Sequence, residues 1–544
     1  MLGAMQEWDL RVTGLLDHAA REHGTREIVT HWVDGSETRT DWAGIRHDAL
    51  KMVQALRRLD IYPGDRVATL AMNHGRHLAA WFGVTGAGCV LHTLNPRLFE
   101  DQLAWIVNDA SDRVLIYDAA FQPLVERLLP RCPSIAHAIC FDSAACGPCF
   151  DDWIGLEDGR ALWTPGAERD ACMLCYTSGT TGHPKGVLYS HRSNVLHTLA
   201  IIAPSCLALE PRSCVLPVVP MFHANDWGLP WACAAVGAKM VWCQTSEAET
   251  LCDLLRNEAV THVAGVPTVW FSMFAHLDST GRDMPPIRQA LSGGAAVPPS
   301  VVERLMRAGV RVVQAWGMTE TSPIATVTYE PAGWDDMTFE EQVLVKSFQG
   351  RPLYGSEVRI VPLAGEEKAG GEADGIEVGG IGAEGRASSG ALQVRGAWTV
   401  RRYFGAEEDC VDSDQWFDTG DVAAIQPDGA LRITDRTKDL IKSGGEWISS
   451  VELENAAVAH PDVMEAAAIG ISHPKWDERP LLVVIRRPES AIDERQLLAF
   501  LAGRVARWWL PDAIEFVSDI PHTGSGKISK KDLRERFRGY RLPD

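Results

Sequence analysis

The stretch Tyr176-Thr-Ser-Gly-Thr-Thr-Gly-His-Pro-Lys-Gly-Val187 directly follows an apolar run, Ala171–Cys175, that reads as a buried strand. Glycines let backbone N–H groups approach an anion, hydroxyls donate further hydrogen bonds, and a lysine supplies a compact positive charge. Because Gly186 rather than Ser or Thr follows Lys185, the pattern is not the Walker type. We therefore predict a strand followed by a different kind of phosphate-binding loop, whose candidate ligands are Thr177, Ser178, Gly179, Thr180, Thr181, Gly182 and Lys185.

On both sides of this loop, short apolar runs alternate with amphipathic segments. Arg66–Ala71, Arg113–Tyr117 and Arg311–Gln314 are typical of buried strands. Pro299–Arg307 is typical of a helix, with proline in its first turn. This βαβα rhythm predicts an α/β fold with largely parallel sheets.

The pattern changes near residue 424. A hairpin turning at Asp428-Gly429, a charged link over 434–439 and a helix opened by the capping box Ser449–Glu452 are predicted. We predict a large N-terminal domain of stacked α/β sheets over 1–437 and a small, mobile α+β domain over 438–544. The formal charge is −18 for residues 1–438 and −2 for residues 439–544.

Composition excludes several classes of protein. With 544 residues, 46% hydrophobic and 23% charged, the chain is globular rather than disordered. A net charge of −20 disfavours nucleic acid and anionic membranes as partners. The first ten residues lack a signal-peptide pattern, and no uncharged apolar run reaches about 18 residues, so stable membrane insertion is not expected. The odd count of 13 cysteines favours reduced thiols and a cytoplasmic location.

The phosphate loop resembles a motif of the adenylate-forming enzymes. Five further segments of the chain resemble other motifs of these enzymes and occur in the same order. That superfamily includes acyl-CoA synthetases, luciferases and the adenylation domains of peptide synthetases. The segments are Pro220–Asp226, Gln314–Thr321, Trp416–Asp421, Asp435–Glu446 and Pro521–Ile528. Together they span nearly the whole chain, and their closest resemblance is to medium- and long-chain fatty acyl-CoA synthetases.

The resemblance implies a reaction in two steps. A carboxylate attacks ATP to give acyl-AMP and pyrophosphate, and coenzyme A then displaces AMP. The implied site contains catalytic, nucleotide-binding and magnesium-binding residues. These are Lys527, His223, Thr319 and Glu320 for catalysis; Trp316 and Gly317 for adenine; Asp421 and Arg436 for ribose; and Glu320 with Thr180 for Mg²⁺.

The same family moves its C-terminal domain between the two steps. Lys438 occupies the hinge position, and hinges concentrate large backbone changes in few residues. The movement would withdraw Lys527 after adenylation. Gly444 and Gly445 would then border the entry of the coenzyme A thiol.

The identity of the acid is addressed by the segment around His223. Peptide-synthetase domains have an aspartate there that pairs with an α-ammonium group, so His223 disfavours amino acids. Trp227 resembles the gate tryptophan of fatty acyl-CoA synthetases, and the acyl pocket is predicted from Trp227, Trp231, Val266, Val269, Trp270, Gly293 and Gly294. Trp231 and Trp270 fit a hydrophobic core equally well.

Asp226 departs from the expected small or apolar neighbour of the gate. Facing the tunnel, its carboxylate would repel a long alkyl chain; facing solvent, it would have no role. Short thioether and aryl-alkanoic acids therefore stay open beside medium- and long-chain fatty acids, and 19 tryptophans suit an aromatic acid.

Other readings also stay open. The enzyme could load a carrier protein instead of coenzyme A, or could be a binding protein without catalysis. A homodimer is compatible with either. Cys146-Gly-Pro-Cys149 and Cys172-Met-Leu-Cys175 mimic redox or zinc motifs, and 380–385 matches a dinucleotide fingerprint inside the Gly/Glu-rich stretch 364–390. We interpret all three as coincidental, because their strand or loop context is wrong.

Overall fold

A computed structural model describes residues 3–142, 148–177, 183–363, 388–426, 428–444, 446–488, 490–523 and 528–542. The chain folds into two compact units. The first is formed by Met1–Glu357 and Arg395–Phe417, and the second by Val358–Val394 and Asp418–Asp544. The second unit thus starts well before the predicted boundary at 437/438, and the segment 395–417 returns to the first unit. The hinge at Lys438 stays a prediction.

A six-stranded sheet in the first unit carries the phosphate loop. Its spatial order is β6-β5-β3-β4-β7-β8, and all neighbours are parallel except the antiparallel pair β7/β8. The strands are β3 (Arg66–Leu70), β4 (Val90–Thr93), β5 (Val114–Tyr117), β6 (His137–Cys140), β7 (Ala171–Thr177) and β8 (Lys185–Ser190).

A nine-stranded sheet forms the other layer of strands in this unit. Its order is β15-β14-β13-β12-β11-β9-β10-β1-β2, with a parallel centre and antiparallel edges. The strands are β1 (Glu27–His31), β2 (Glu37–Asp41), β9 (Cys214–Pro217), β10 (Lys239–Cys243), β11 (His262–Gly265), β12 (Gln289–Gly293), β13 (Arg311–Gly317), β14 (Ile324–Val327) and β15 (Arg351–Pro352).

Helices cover these sheets and join them. Leu103, Val107 and neighbouring apolar residues fill the core against the six-stranded sheet, and Leu251, Val302 and Leu305 do so against the nine-stranded sheet. The helices are α1 (Val12–Glu22), α2 (Trp42–Arg58), α3 (Gly75–Gly86), α4 (Glu100–Ala110), α5 (Gln122–Leu128), α6 (Phe150–Gly155), α7 (His191–Ile201), α8 (Leu229–Val236), α9 (Ala248–Asn257), α10 (Pro267–Thr280), α11 (Pro299–Arg307) and α12 (Phe339–Lys346).

The second unit contains two smaller sheets. One has the order β16-β17-β18-β19, and the other is built around the long hairpin β22/β23. The elements are β16 (Ser356–Val361), β17 (Ser388–Gly396), β18 (Phe417–Ile425), β19 (Leu431–Arg436), β20 (Ile441–Ser443), β21 (Glu446–Ile448), α13 (Ser450–Val458), β22 (Val463–His473), β23 (Asp477–Arg486), α14 (Glu494–Leu501), β24 (Ala513–Phe516) and α15 (Lys530–Arg536).

The mixed α/β fold class predicted from the sequence is confirmed, and several elements lie where they were predicted. Helix α11 has the predicted bounds, and β18 and β19 pair as the predicted hairpin. Ser449 accepts a hydrogen bond from the backbone N–H of Glu452, as the capping box requires. The side chain of Glu452 instead receives a hydrogen bond from Arg432, so the box is only half formed.

Among the described residues, no helix is long and apolar enough to cross a membrane. The cysteines in this part of the chain are free thiols. Cys172 and Cys175 both lie on β7, whereas Cys146, the fingerprint at 380–385 and most of the Gly/Glu-rich stretch lie outside the described residues.

Candidate functional site

The phosphate loop joins two neighbouring strands. Strand β7 ends at Thr177, β8 begins at Lys185, and these two residues are direct partners in the antiparallel register. The loop therefore starts and ends at one point on the edge of the sheet, with Lys185 exposed there. The predicted ligands Ser178, Gly179, Thr180, Thr181 and Gly182 lie outside the described residues.

The predicted adenine and magnesium residues form the turn that follows β13. Trp316 and Gly317 end this strand, and Thr319 and Glu320 begin a single 3₁₀ turn. A Cβ atom on Gly317 would lie 1.7 Å from the carbonyl oxygen of Pro323, so only glycine permits this close backbone approach. Gly317 therefore allows the 3₁₀ turn to follow closely after Trp316 in the chain.

Two tyrosines hold this turn. The Tyr189 hydroxyl, on β8, donates a 2.7 Å hydrogen bond to the carbonyl oxygen of Thr319. The Tyr403 hydroxyl donates a 2.9 Å hydrogen bond to Oε1 of Glu320. Burial raises the pKa of both tyrosines, so both hydroxyls stay protonated donors at neutral pH.

Tyr403 also contacts the phosphate loop. The ammonium nitrogen of Lys185 lies 4.8 Å from the centroid of the Tyr403 ring, within the range of a cation–π interaction. The next residue, Phe404, donates a backbone hydrogen bond of 2.8 Å to the carbonyl oxygen of Gly186. Sequence reasoning missed Tyr403, because it lies outside the six motifs and 83 residues from Glu320.

The predicted gate residue Trp227 lies on an unusual turn. Asn225, Asp226 and Trp227 all have positive φ values, between 45° and 52°, and Gly228 continues the turn at 78°. Each non-glycine residue in the left-handed region costs of order 1–2 kcal/mol. Backbone strain of this kind is concentrated at functional sites. Here it places three consecutive side chains just after His223, which is half-buried.

The turn brings Trp227 to the predicted glycine pair. Cβ atoms placed on Gly293 and Gly294 would lie 3.6 and 3.5 Å from the Trp227 ring, and one on Gly294 would lie 3.3 Å from Val266. Trp227 is buried, with 5% of its surface exposed. Trp227, Val266, Gly293 and Gly294, four of the predicted acyl-pocket residues, therefore lie together. The Trp227 ring packs against the two glycines, which have no side chains.

Asp226 does not face solvent. Its side chain is fully buried, and neither carboxyl oxygen has a hydrogen-bond partner among the described residues. Burial raises the pKa of this carboxyl well above its usual range, because no donor or cation compensates the lost hydration. The solvent-facing alternative is therefore ruled out, and burial favours the neutral form of the carboxyl.

The remaining two tryptophans pack in the interior. Trp231 is fully buried on α8, with its ring centroid 5.4 Å from that of Trp81 and 4.8 Å from that of Phe82, both on α3. Trp270 on α10 belongs to the core of the nine-stranded sheet. These contacts support the packing alternative for both residues, and a role in the acyl pocket stays a prediction.

In the second unit, the predicted ribose residues form an ion pair. Arg436 Nε lies 2.9 Å from Oδ1 of Asp421, across the antiparallel pair β18/β19. Asp421 is buried and the arginine side chain is 42% exposed. This arrangement leaves the guanidinium accessible, while the carboxylate is held in one orientation.

The ring of Trp476 lies beside Gly444, which is predicted to border the entry of the thiol. The sequence did not reveal this contact. Gly444 has φ of 62°, and a Cβ atom there would lie 2.8 Å from the ring of Trp476. The Trp476 carbonyl accepts a 2.8 Å hydrogen bond from the Gly444 N–H, and its ring is partly exposed. Gly445 lies outside the described residues.

The predicted hinge contacts the last helix. Arg534 on α15 donates hydrogen bonds to the carbonyl oxygen of Lys438, at 3.2 Å, and to the carboxylate of Asp439, at 2.8 Å. One turn earlier on the helix, Lys530 pairs with the half-buried Glu454 at 2.8 Å. Lys527, which precedes this helix in the sequence, lies outside the described residues.

Comparison with known proteins identifies the family of this chain. The family model "AMP-binding enzyme" matches residues 16–404, and "AMP-binding enzyme C-terminal domain" matches 452–527. The chain belongs to this family. The AMP-binding enzyme family is the adenylate-forming superfamily whose motifs the sequence resembles, so that identification is confirmed.

Two relatives match this AMP-binding enzyme over its whole length. It is 44% identical to the 3-methylmercaptopropionyl-CoA ligase of Ruegeria pomeroyi, over 99% of both chains. It is 41% identical to the medium-chain-fatty-acid–CoA ligase of Ectopseudomonas oleovorans, over 99% of this chain and 98% of the relative. The predicted enzyme class, an acyl-CoA synthetase that uses ATP and coenzyme A, is thereby confirmed.

A solved structure shares the fold of this AMP-binding enzyme. The anthranilate CoA ligase AuaEII, in complex with anthranoyl-AMP, superposes with a TM-score of 0.85 at 23% identity, over 98% of this chain and 99% of that one. At this identity the likeness concerns the fold alone. It supports a large N-terminal part with two layers of sheet, followed by a smaller C-terminal part.

Proposed function

We propose that this AMP-binding enzyme is an ATP-dependent ligase that joins a medium- or long-chain fatty acid to coenzyme A through an acyl-AMP intermediate. The observation that carries the choice of acid is the apolar arrangement of Trp227 over Gly293 and Gly294, beside Val266. An alkyl chain gains about 25 cal/mol for each Å² of apolar surface that leaves water, and the side chains of Trp227 and Val266 offer apolar surface of this kind.

In the first half-reaction, this chain must neutralise phosphate charge. Lys185 and the hydroxyls of the phosphate loop would hold the β- and γ-phosphates, while Thr319 contacts the α-phosphate. Asp421 and Arg436 would accept from and donate to the ribose hydroxyls. Lys527 would stabilise the charge that develops between the acid carboxylate and the α-phosphate, a preorganised electrostatic role.

The residues present also fit a magnesium ion. Mg²⁺ prefers carboxylate oxygens, and the Glu320 carboxylate is buried and oriented through one oxygen by Tyr403. Glu320, with Thr180 of the loop, would hold the ion. When bound, Mg²⁺ would supply positive charge to the phosphates of ATP.

In the second half-reaction, the coenzyme A thiol would attack the acyl carbonyl and release AMP. Rotation of the C-terminal domain at Lys438 would remove Lys527 and bring Gly444, with Gly445, to the acyl-adenylate. His223, at the start of the left-handed turn, would lie beside the acid carboxylate in both steps. Domain rotation of this kind is a hinge movement in which few residues change backbone angles.

A short thioether acid is the second candidate. The buried Asp226 carboxyl adjoins the proposed gate Trp227, and a neutral carboxyl in an apolar site can donate a hydrogen bond to a sulfur or oxygen atom of the chain. A relative 44% identical to this chain is named for such a substrate. This candidate predicts a preference for 3-methylmercaptopropionate over an alkanoate of equal length.

The experiment is a screen of pyrophosphate release and thioester formation over C4–C16 fatty acids, 3-methylmercaptopropionate, aryl-alkanoic acids and α-amino acids. We expect the highest kcat/KM for an aliphatic acid with coenzyme A as acceptor. Activity with amino acids alone would contradict the argument from His223. Transfer to an acyl carrier protein but not to coenzyme A would establish a carrier-loading ligase, and no pyrophosphate with any acid would establish a binding protein.

We further propose that the reaction takes place in the cytoplasm, where free thiols persist, and that the enzyme acts as a homodimer or monomer on small-molecule substrates. Sedimentation at micromolar concentration decides the oligomeric state. We also propose that residues 438–544 move as one domain relative to residues 1–437 between the two half-reactions.

A further inference from the structure

The Tyr403 side chain lies between two groups that have separate tasks in the proposed reaction. Its hydroxyl donates to Oε1 of Glu320, the proposed magnesium ligand, at 2.9 Å. Its ring face lies 4.8 Å from the ammonium nitrogen of Lys185, the proposed phosphate ligand. The Tyr403 hydroxyl thus contacts the carboxylate that is proposed to bind the metal ion. The face of its ring contacts the lysine that is proposed to bind the phosphates.

The backbone around Tyr403 is itself fixed to both elements. Val400 donates a 2.7 Å hydrogen bond to the carbonyl oxygen of Glu320, and Phe404 donates one of 2.8 Å to the carbonyl oxygen of Gly186. The segment between them is therefore hydrogen-bonded to the 3₁₀ turn at one end and to β8 at the other. Tyr403 is held at both ends of this short segment.

The chemistry of the hydroxyl sets the orientation of the carboxylate. Oε1 of Glu320 accepts a 2.9 Å hydrogen bond from the Tyr403 hydroxyl. A hydrogen bond of this kind fixes the rotation of the carboxylate and so the direction of Oε2. Partners behind metal ligands act in this way, and their loss typically costs 10–100-fold in metal affinity.

We propose that Tyr403 is a positioning residue that orients the Glu320 carboxylate for the divalent ion of metal–ATP, and that its ring independently holds Lys185 near the phosphates. This rests on the proposed function, because it assumes that Glu320 binds the ion. In the proposed reaction, Tyr403 contacts neither the acid nor the reacting atoms. Its hydroxyl and its ring have separable effects.

Two substitutions separate these effects. Tyr403→Phe retains the ring beside Lys185 and removes only the hydroxyl, whereas Tyr403→Leu removes both. The matched control is Tyr354→Phe, which deletes the same atom from a fully exposed tyrosine in the first unit. Thermal unfolding of each variant checks that the fold is retained.

The readout is equilibrium binding rather than turnover. Mn²⁺ binding in the presence of a non-hydrolysable ATP analogue is followed by electron paramagnetic resonance, and analogue binding without metal is followed by calorimetry. For Tyr403→Phe we expect Mn²⁺ affinity about 10-fold weaker, with metal-free analogue affinity within about twofold of the unsubstituted protein. Tyr403→Leu should weaken both.

Other results overturn the proposal. Mn²⁺ affinity unchanged in Tyr403→Phe would show that the hydroxyl does not orient the metal ligand. Equal weakening of Mn²⁺ and metal-free analogue binding in Tyr403→Phe would show a general packing role. If the unsubstituted protein bound the analogue without any Mn²⁺ dependence, the proposed function itself would be wrong, and that outcome is distinguishable from the other two.

Discussion

The guanidinium Nε of Arg436 lies 2.9 Å from Oδ1 of Asp421, on the neighbouring strand. The arginine is 42% exposed, so the ion pair contributes at most about 1 kcal/mol to the free energy of unfolding. Its role is therefore expected to be in binding. Arg432 lies on the same strand, is 43% exposed and pairs with Glu452 at 2.9 Å, which makes it a matched control.

Arg436→Ala should raise the KM for ATP by roughly tenfold, because it removes a charged hydrogen-bond donor from the ribose, while thermal stability changes little. Arg432→Ala should leave the KM for ATP unchanged. Steady-state kinetics with varied ATP give both values. An equal rise in KM for the two variants would indicate a general effect of charge on this strand.

Lys527 is expected to act in only one half-reaction. Lys527→Ala should reduce acyl-AMP formation by about 10²–10³-fold, the usual loss on removing one group that stabilises developing charge. Thioester formation from supplied acyl-AMP should be spared. Lys531→Ala, which removes an exposed lysine four residues along the chain, is the control. Equal loss in both half-reactions would contradict the two-conformation mechanism.

The buried carboxyl of Asp226 predicts an unusual dependence of stability on pH. Because its pKa is raised in the folded state, the folded protein binds a proton that the unfolded chain has released above about pH 4. The free energy of unfolding contributed by this group therefore falls as pH rises toward the folded pKa, by up to about 1.4 kcal/mol per pH unit.

Asp226→Asn removes this titration while preserving the shape of the side chain. We expect the variant to gain stability relative to the unsubstituted protein between pH 5 and pH 8, measured by denaturant unfolding. Asp336→Asn, at an exposed position, should show no such trend. A stability difference that is the same at every pH would mean that Asp226 is ionised in the folded protein.

Gly294 tests the acyl pocket against a closely matched position. Gly294 and Gly309 both have φ of 76°, but an added Cβ would meet Val266 and Trp227 at the first and nothing within 4 Å at the second. Both alanine variants carry the same backbone strain of about 1–2 kcal/mol. Gly294→Ala alone should shift the preferred acid toward shorter chains in the kcat/KM profile. Identical profiles for the two variants would exclude Gly294 from the pocket.

The elements that were predictable from sequence are those with local causes. Pro299 in a first helical turn, the Asp428-Gly429 turn and the Ser449 cap are each set by a few neighbouring residues, and each lies where it was predicted. The pairing of Asp421 with Arg436 follows from that same hairpin. The grouping of Trp227 with Gly293 and Gly294 followed from the family resemblance rather than from any local pattern.

The features that sequence reasoning missed depend on contacts between distant segments. Tyr403 meets Glu320 and Lys185 only because the segment 395–417 returns to the first unit. The burial of Asp226 follows from the left-handed turn, which no single residue type dictates. Trp476 contacts Gly444 because the adjacent residues Asp477 and Ser443 pair between β23 and β20.

In the proposed reaction, the acid carboxylate attacks the α-phosphate of ATP. Turnover of a fatty acid labelled with ¹⁸O in its carboxylate, with ATP and coenzyme A, tests it most directly by mass spectrometry of the nucleotide product. An acyl-adenylate route predicts AMP that carries one ¹⁸O atom. Unlabelled AMP, or ADP with the label in inorganic phosphate, would contradict the account.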